Sequence, residues 1–139
     1  MRYWDSSAIL PLVVGETRSA DLLALIDIDP AIATWWGTRV ECISALARLE
    51  REQSLALPSM RAAIARLEAL SREWIEVPAI DDVRTQASRL LRTHALRAAD
   101  ALQLAAAIVA SDFEPSALVF VSLDVRLSAA AEREGFPVT

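Results

Sequence analysis

Short apolar runs alternate along this chain with longer stretches whose apolar positions recur every three or four residues. Five runs read as strands: Arg2 to Trp4, Ala31 to Thr34, Trp74 to Val77, Leu118 to Ser122 and a short Pro137-Val138 at the end. Between them, helical spacing covers Ser7 to Val14, Ser19 to Ile28, Thr38 to Ser54, Ser59 to Arg72, Asp81 to Thr93, Ala98 to Ser111 and Val125 to Glu134. Capping signals agree: Thr38 stands three residues before Glu41, Pro58-Ser59 opens one stretch and Asp81 another. A helix between two strands returns the chain to the starting end of the sheet, so the strands pair in parallel. The pattern predicts an α/β fold, a three-layer α/β/α sandwich with a central parallel sheet. No repeat, low-complexity tract or linker interrupts it, which leaves one domain over residues 1–139.

Composition narrows the class. With 54% hydrophobic residues the chain can build a proper core. No apolar stretch reaches roughly 18 residues and no basic start precedes an apolar signal core, so a cytoplasmic protein with no membrane association is expected. The single Cys42 lies on the apolar side of a helical stripe and reads as a buried thiol in a reducing compartment. Nineteen acidic residues face 14 basic ones, all arginine, for a net charge of −5. Without lysine there is neither a P-loop lysine nor a Schiff base. With only Gly15, Gly37 and Gly135, a G-x-G-x-x-G loop is also excluded. A negative protein does not attract nucleic acid broadly, so any such function must rest on metal ions and a few local arginines.

Four carboxylates fall where an apolar run meets a helical one: Asp5, Glu41, Asp100 and Asp124. Asp5 and Asp124 follow strands, which puts each at a strand's carboxyl end, the edge where parallel α/β sheets bind ligands. Glu41 and Asp100 lie near helix starts that point back toward the same edge. Each has a plain structural reading: N-caps for Asp5 and Asp124, a solvated pair with Arg48 for Glu41, a helix-dipole partner for Asp100. Asp100 resists it most, because a lone charge set in Ala98-Ala99-Asp100-Ala101-Leu102 is expensive to bury without a partner. Four acids at one edge repel one another, and such a cluster calls for hard metal ions or raised pKa values.

The chain resembles the PIN-domain ribonucleases, specifically the VapC-type toxins of toxin–antitoxin pairs. The resemblance is carried by Tyr3-Trp4-Asp5-Ser6-Ser7-Ala8, by Thr38-Arg39-Val40-Glu41-Cys42 with Ala45-Leu46-Ala47-Arg48, by Leu96 to Ala105 around Asp100, and by Phe120-Val121-Ser122-Leu123-Asp124-Val125-Arg126-Leu127. These stretches span nearly the whole chain in the family's order. The resemblance implies a PIN-like sandwich and a metal-dependent endoribonuclease with Asp5, Glu41, Asp100 and Asp124 as its acidic centre. It implies Mg²⁺, with Mn²⁺ as a substitute, and Ser6, Ser7 and Ser122 orienting a carboxylate or a metal-bound water. Gln103 departs from the family's frequent His, so no accessory role is assigned there. The implied partners are the RNA substrate, a small antitoxin whose arginine-bearing tail enters the acidic groove, and a second copy in a homodimer.

The residues suit that chemistry. Phosphodiester hydrolysis needs a hydroxide near neutral pH and neutralisation of the phosphate, both available from Mg²⁺ or Mn²⁺ held by carboxylates. Asp5, Asp100 and Asp124 are the expected direct ligands, with Glu41 at a second ion or the attacking water. A phosphotransfer receiver domain would need a lysine, and a haloacid-dehalogenase-type phosphatase would need an Asp where Ser7 stands. A catalytically inert PIN-fold interaction module is the alternative. His94 reads as structural, and so do Trp35 and Trp36, with base stacking or a dimer face as the other reading of the tryptophans. Arg39, Arg48, Arg97 and Arg126 would contact RNA phosphate or pair with the carboxylates.

Overall fold

The computed structural model describes residues 1–15 and 19–139. Its first strand, β1 (Arg2–Trp4), leads through α1 (Ser6–Val14) and α2 (Ser19–Ile28) to β2 (Ile32–Trp35). Next come α3 (Thr38–Arg51), α4 (Leu57–Ser71), β3 (Ile75–Val77), α5 (Asp81–Thr93) and α6 (Ala98–Ala110). A 3₁₀ turn at Pro115–Ala117, β4 (Val119–Val121) and α7 (Val125–Arg133) complete it. The four strands are all parallel in the order β3-β2-β1-β4, as the alternating pattern predicts. The expected terminal strand is reduced to one parallel bridge between Phe120 and Val138. The Pro137 ring removes a ladder donor, and only its carbonyl, 2.8 Å from Phe120 N, enters the pairing.

Strand side chains alternate between two cores. Tyr3, Ala33, Val77 and Phe120 enter the larger one, beneath α5, α6 and α7. Trp4, Ile32 and Val121 enter the other, beneath α1, α2, α3 and α4. A strand buried on both faces reads as an unbroken apolar run, which explains Tyr3-Trp4 and Val119-Phe120-Val121. The Tyr3 and Phe120 rings stack at 5.4 Å on one side of the paired strands. On that side α6 presents Ala101, Ala105, Ala106 and Ala107, all fully buried, and their small side chains let the helix lie close to the sheet.

The β2–α3 corner depends on a glycine for space rather than for a left-handed backbone. A Cβ on Gly37 would lie 2.2 Å from Nε1 of Trp35, a buried indole. Gly37→Ala must therefore displace Trp35 or bend the corner, a strain of roughly 1–3 kcal/mol. Calorimetry should show a Tm lower by roughly 3–10 °C; an unchanged Tm would mean that the indole has room to swing away.

Candidate active site

Asp5 follows β1 and caps α1, accepting from Ser7 N at 3.1 Å and from the Ser7 hydroxyl at 2.8 Å. The N-cap reading is thus correct but incomplete, because the side chain is 3% exposed and no basic group among the described ion pairs reaches it. Ser7 ties this turn to the one after β4. Its oxygen lies 3.3 Å from the Ser122 hydroxyl and accepts from Leu123 N at 2.8 Å, while Ser122 Oγ accepts from Asp124 N at 3.0 Å. Two of the serines suggested by the family resemblance therefore lock Asp5 and Asp124 into one edge.

Glu41 sits in the first turn of α3, half-buried. Its Oε2 accepts from the Ser6 hydroxyl at 2.8 Å and from Gln103 Nε2 at 3.0 Å. Gln103, given no role from sequence, is the hub of this region. Fully buried on α6, it also donates to Thr38 Oγ at 3.0 Å and accepts the Tyr3 hydroxyl at 2.8 Å. The Thr34 hydroxyl extends the chain, bonding the Trp4 carbonyl at 2.8 Å and Thr38 at 2.7 Å. Tyr3 and Thr34 read from sequence as strand filler, Thr38 as a helix cap, which the structure instead places one residue inside α3 after Gly37, and Gln103 has no role assigned from sequence. The available signal was a lone glutamine in the otherwise apolar face Ala101 to Ala107.

Asp100 and Asp124 occupy helix starts, each partly buried. Asp100 Oδ2 accepts from Arg97 N at 3.3 Å, and Asp124 Oδ1 accepts from Arg126 N at 2.8 Å and Leu127 N at 3.0 Å. Among the described bonds Glu41, Asp100 and Asp124 each use one carboxylate oxygen and leave the other free. As placed, no three His, Cys, Asp or Glu side chains among the described residues converge closely enough to hold a metal ion. The donors nevertheless fit a hard cation in kind: they are anionic oxygens, and Mg²⁺ takes only a few from protein while keeping several waters.

The electrostatics show strain at this edge. Burial pushes Asp5 from its ordinary 3.8 up to about 6, against the pull of hydrogen bonds from Ser7 and Ser122. Glu41 is raised too, first by burial and then by the charge of Asp100, so these two acids sense each other. The neighbouring Cys42 thiol is pushed to about 12, by burial and then by Glu41 and Asp5, which makes it a poor nucleophile. Of the flanking arginines, Arg39 lies 3.6 Å from Glu68, and none of the four carboxylates has an arginine partner among the described ion pairs. Arg48 and Arg51 share with Glu41 and Val40 the walls of a cavity of about 420 Å³. His94 Nε2 lies 2.6 Å from Glu134, and Trp35 is buried as expected, whereas Trp36 departs from the structural reading and is 55% exposed.

No family model and no curated protein matches the chain. Among solved structures it is similar to a toxin-antitoxin complex from Klebsiella pneumoniae, at 17% identity and a TM-score of 0.61, covering 100% of this chain and 96% of that one. It is also similar to PAE2754 from Pyrobaculum aerophilum, at 24% identity and a TM-score of 0.61, over 94% of this chain and 84% of that one. At these identities the likeness extends to the fold.

Two measurements test the geometry. Gln103→Leu keeps the volume but strips the Tyr3 hydroxyl and Glu41 of a partner, so it should cost roughly 1–3 kcal/mol in denaturant unfolding. A neutral outcome would show that water replaces the amide. Asp5 gives a pH signature. Its folded pKa lies above the unfolded value, so its charge opposes folding above about pH 6 and ceases to do so as pH falls toward 3.8. In protein stripped of divalent ions, Asp5→Asn should stabilise by on the order of 1–3 kcal/mol at pH 7.5, with the gain shrinking toward pH 4. An equal gain at both pH values would trace it to something other than the charge.

Proposed function

We propose that this protein is a metal-dependent endoribonuclease of the PIN type, the toxin of a type II toxin–antitoxin pair. The observation that carries the reading is Asp5: a carboxylate 3% exposed, without a counterion among the described ion pairs, at the carboxyl end of the inner strand β1, on the same edge as Glu41, which is raised by burial and by the charge of Asp100. A buried, perturbed carboxylate without a cationic partner is characteristic of functional sites. The fold shared with a toxin-antitoxin complex supports a toxin role and an antitoxin partner. Mg²⁺ or Mn²⁺ held there would supply the Lewis-acid charge that phosphodiester hydrolysis needs.

The chain's own residues do the rest. Ser7 and Ser122 fix the Asp5 carboxylate, while Ser6 and Gln103 together hold Glu41 Oε2 and leave Oε1 without a bond among the described residues, available as a ligand or a base. Asp100 and Asp124 hold one oxygen on a helix start and offer the other. Arg48 and Arg51, in the cavity that Glu41 lines, would receive the RNA backbone or compete with the arginines of an antitoxin tail. Exposed apolar side chains near this edge, Trp36, Val40 and Val125, offer surface for the antitoxin or for a second copy in a homodimer.

The inert-module reading draws on one observation, the lack of convergence of three acids among the described residues. Cleavage decides between the two. The wild type should cut single-stranded RNA with Mg²⁺ or Mn²⁺ and stop with EDTA, and Asp5→Asn and Asp100→Asn should each lose at least roughly 100-fold in rate while remaining folded, since each removes an anionic ligand. Asn caps a helix about as well as Asp, so a residue acting only as a cap would leave activity intact. Full activity in both variants would end the nuclease reading. Millimolar Mn²⁺ should also raise the wild-type Tm, by binding the native state alone. An inert scaffold would show neither cleavage nor the shift.

A further inference from the structure

A second pocket, of about 220 Å³, opens between the turn at His94–Leu96 and one face of α7. Arg126 and Arg133 stand on its wall with Ala129 and Ala130 between them, the spacing of a single helix face. The small alanines leave the space, and the two guanidiniums border it. The adjacent acid does not neutralise them. Glu134 is engaged by Arg89 at 2.6 Å and by His94 Nε2 at 2.6 Å, and neither Arg126 nor Arg133 has a carboxylate among the described ion pairs. His94 is held rigidly there: its side chain is 6% exposed, and Nδ1 is buried without a partner among the described residues. In a chain of net charge −5 without lysine, two unengaged arginines on one pocket form a local positive site.

One end of the pocket adjoins the turns that carry the edge's carboxylates. Arg126 N donates to Asp124, and Arg97 N, one residue beyond the pocket's Leu96, donates to Asp100. We propose that this pocket is a phosphate subsite of the RNA-binding surface, in which Arg126 and Arg133 hold a backbone phosphodiester of the strand next to the point of cleavage. It rests on the nuclease reading above. A strand with one phosphodiester at the acidic edge brings its neighbouring phosphates alongside, where the carboxylates repel them, and a positive subsite must offset that repulsion. Guanidinium groups match phosphate oxygens in a paired geometry, which favours them for the task. An acidic protein segment would meet the same repulsion without the continuity that carries a nucleic acid strand into both places.

The test is binding of a short labelled single-stranded RNA, by fluorescence anisotropy over a range of salt with Ca²⁺ in place of Mg²⁺, beside cleavage of the same RNA with Mg²⁺. The double variant Arg126→Ala with Arg133→Ala should bind roughly ten-fold more weakly or worse, with a log–log salt slope shallower by about 1, as the loss of one phosphate contact on a single strand requires. Its KM should rise while the rate at saturating RNA holds. Arg61→Ala, an exposed arginine on α4, removes a charge elsewhere and should leave binding and slope unchanged. Wild-type affinity and slope in the double variant, with cleavage retained, would overturn the subsite and spare the nuclease. An equal loss in Arg61→Ala would overturn it by showing a general charge effect. RNA bound through these arginines but never cut would sink the nuclease reading and keep the pocket; no RNA binding by the wild type would sink both. Loss of antitoxin binding alone would overturn the subsite and reassign the pocket to an acidic protein segment.

Discussion

One amide side chain connects the layers of this molecule. Gln103 lies on α6, above one face of the sheet, yet its bonds reach β1 through the Tyr3 hydroxyl and α3 through Thr38 and Glu41. Because α3 packs over the opposite face, the amide spans the sheet's carboxyl edge and sets how far apart the helices stand. Every partner is needed: in a buried site each unpaired donor or acceptor would carry its full desolvation cost, so the network holds one arrangement rather than several. The strands are only three or four residues long, so they need such a tie to keep the edge in register.

Around that tie the edge is electrostatically strained. Asp5, Glu41 and Asp100 are each held along this edge by serine hydroxyls, backbone amides or the Gln103 amide, and none has a cationic partner among the described ion pairs. Hydrogen bonding from neutral donors orients a carboxylate while leaving its charge available, whereas an arginine pair would consume it. The arginines are accordingly displaced outward, to the cavity beside Glu41 and to the pocket on α7. Uncompensated charge of this kind costs stability, a cost that recurs at functional sites. The opposite polarity a few residues away suits a ligand that is itself highly anionic.

Much of this was legible from the chain. The predicted strands at Arg2 to Trp4 and Leu118 to Ser122 fall within a residue of β1 and β4, since double-sided burial demands consecutive apolar residues. Helix α3 ends at Arg51 rather than Ser54, because Gln53 takes a left-handed conformation at φ 56° and breaks the hydrogen-bond ladder. The Pro137-Val138 strand shrank to a bridge for want of an amide proton. Asp5 and Asp124 announced themselves by position after a strand, and both do cap the following helix.

What the sequence determined by itself is local: which segments bury two faces, where helices begin, and that acids recur at those junctions. Those properties depend on neighbours within a turn or two along the chain. Only the tertiary structure decided that Asp5 is sealed from solvent while Asp124 is partly exposed, that Glu41 feels Asp100, and that Gln103 is the hub. Each of these depends on contacts between residues 35 to 100 or more positions apart, and on a burial that converts an ordinary cap into a carboxylate with a pKa of about 6. Periodicity records which face is apolar; it carries no record of which polar atoms meet when two such faces close, because a hydrogen bond of that kind leaves no repeating pattern along the chain.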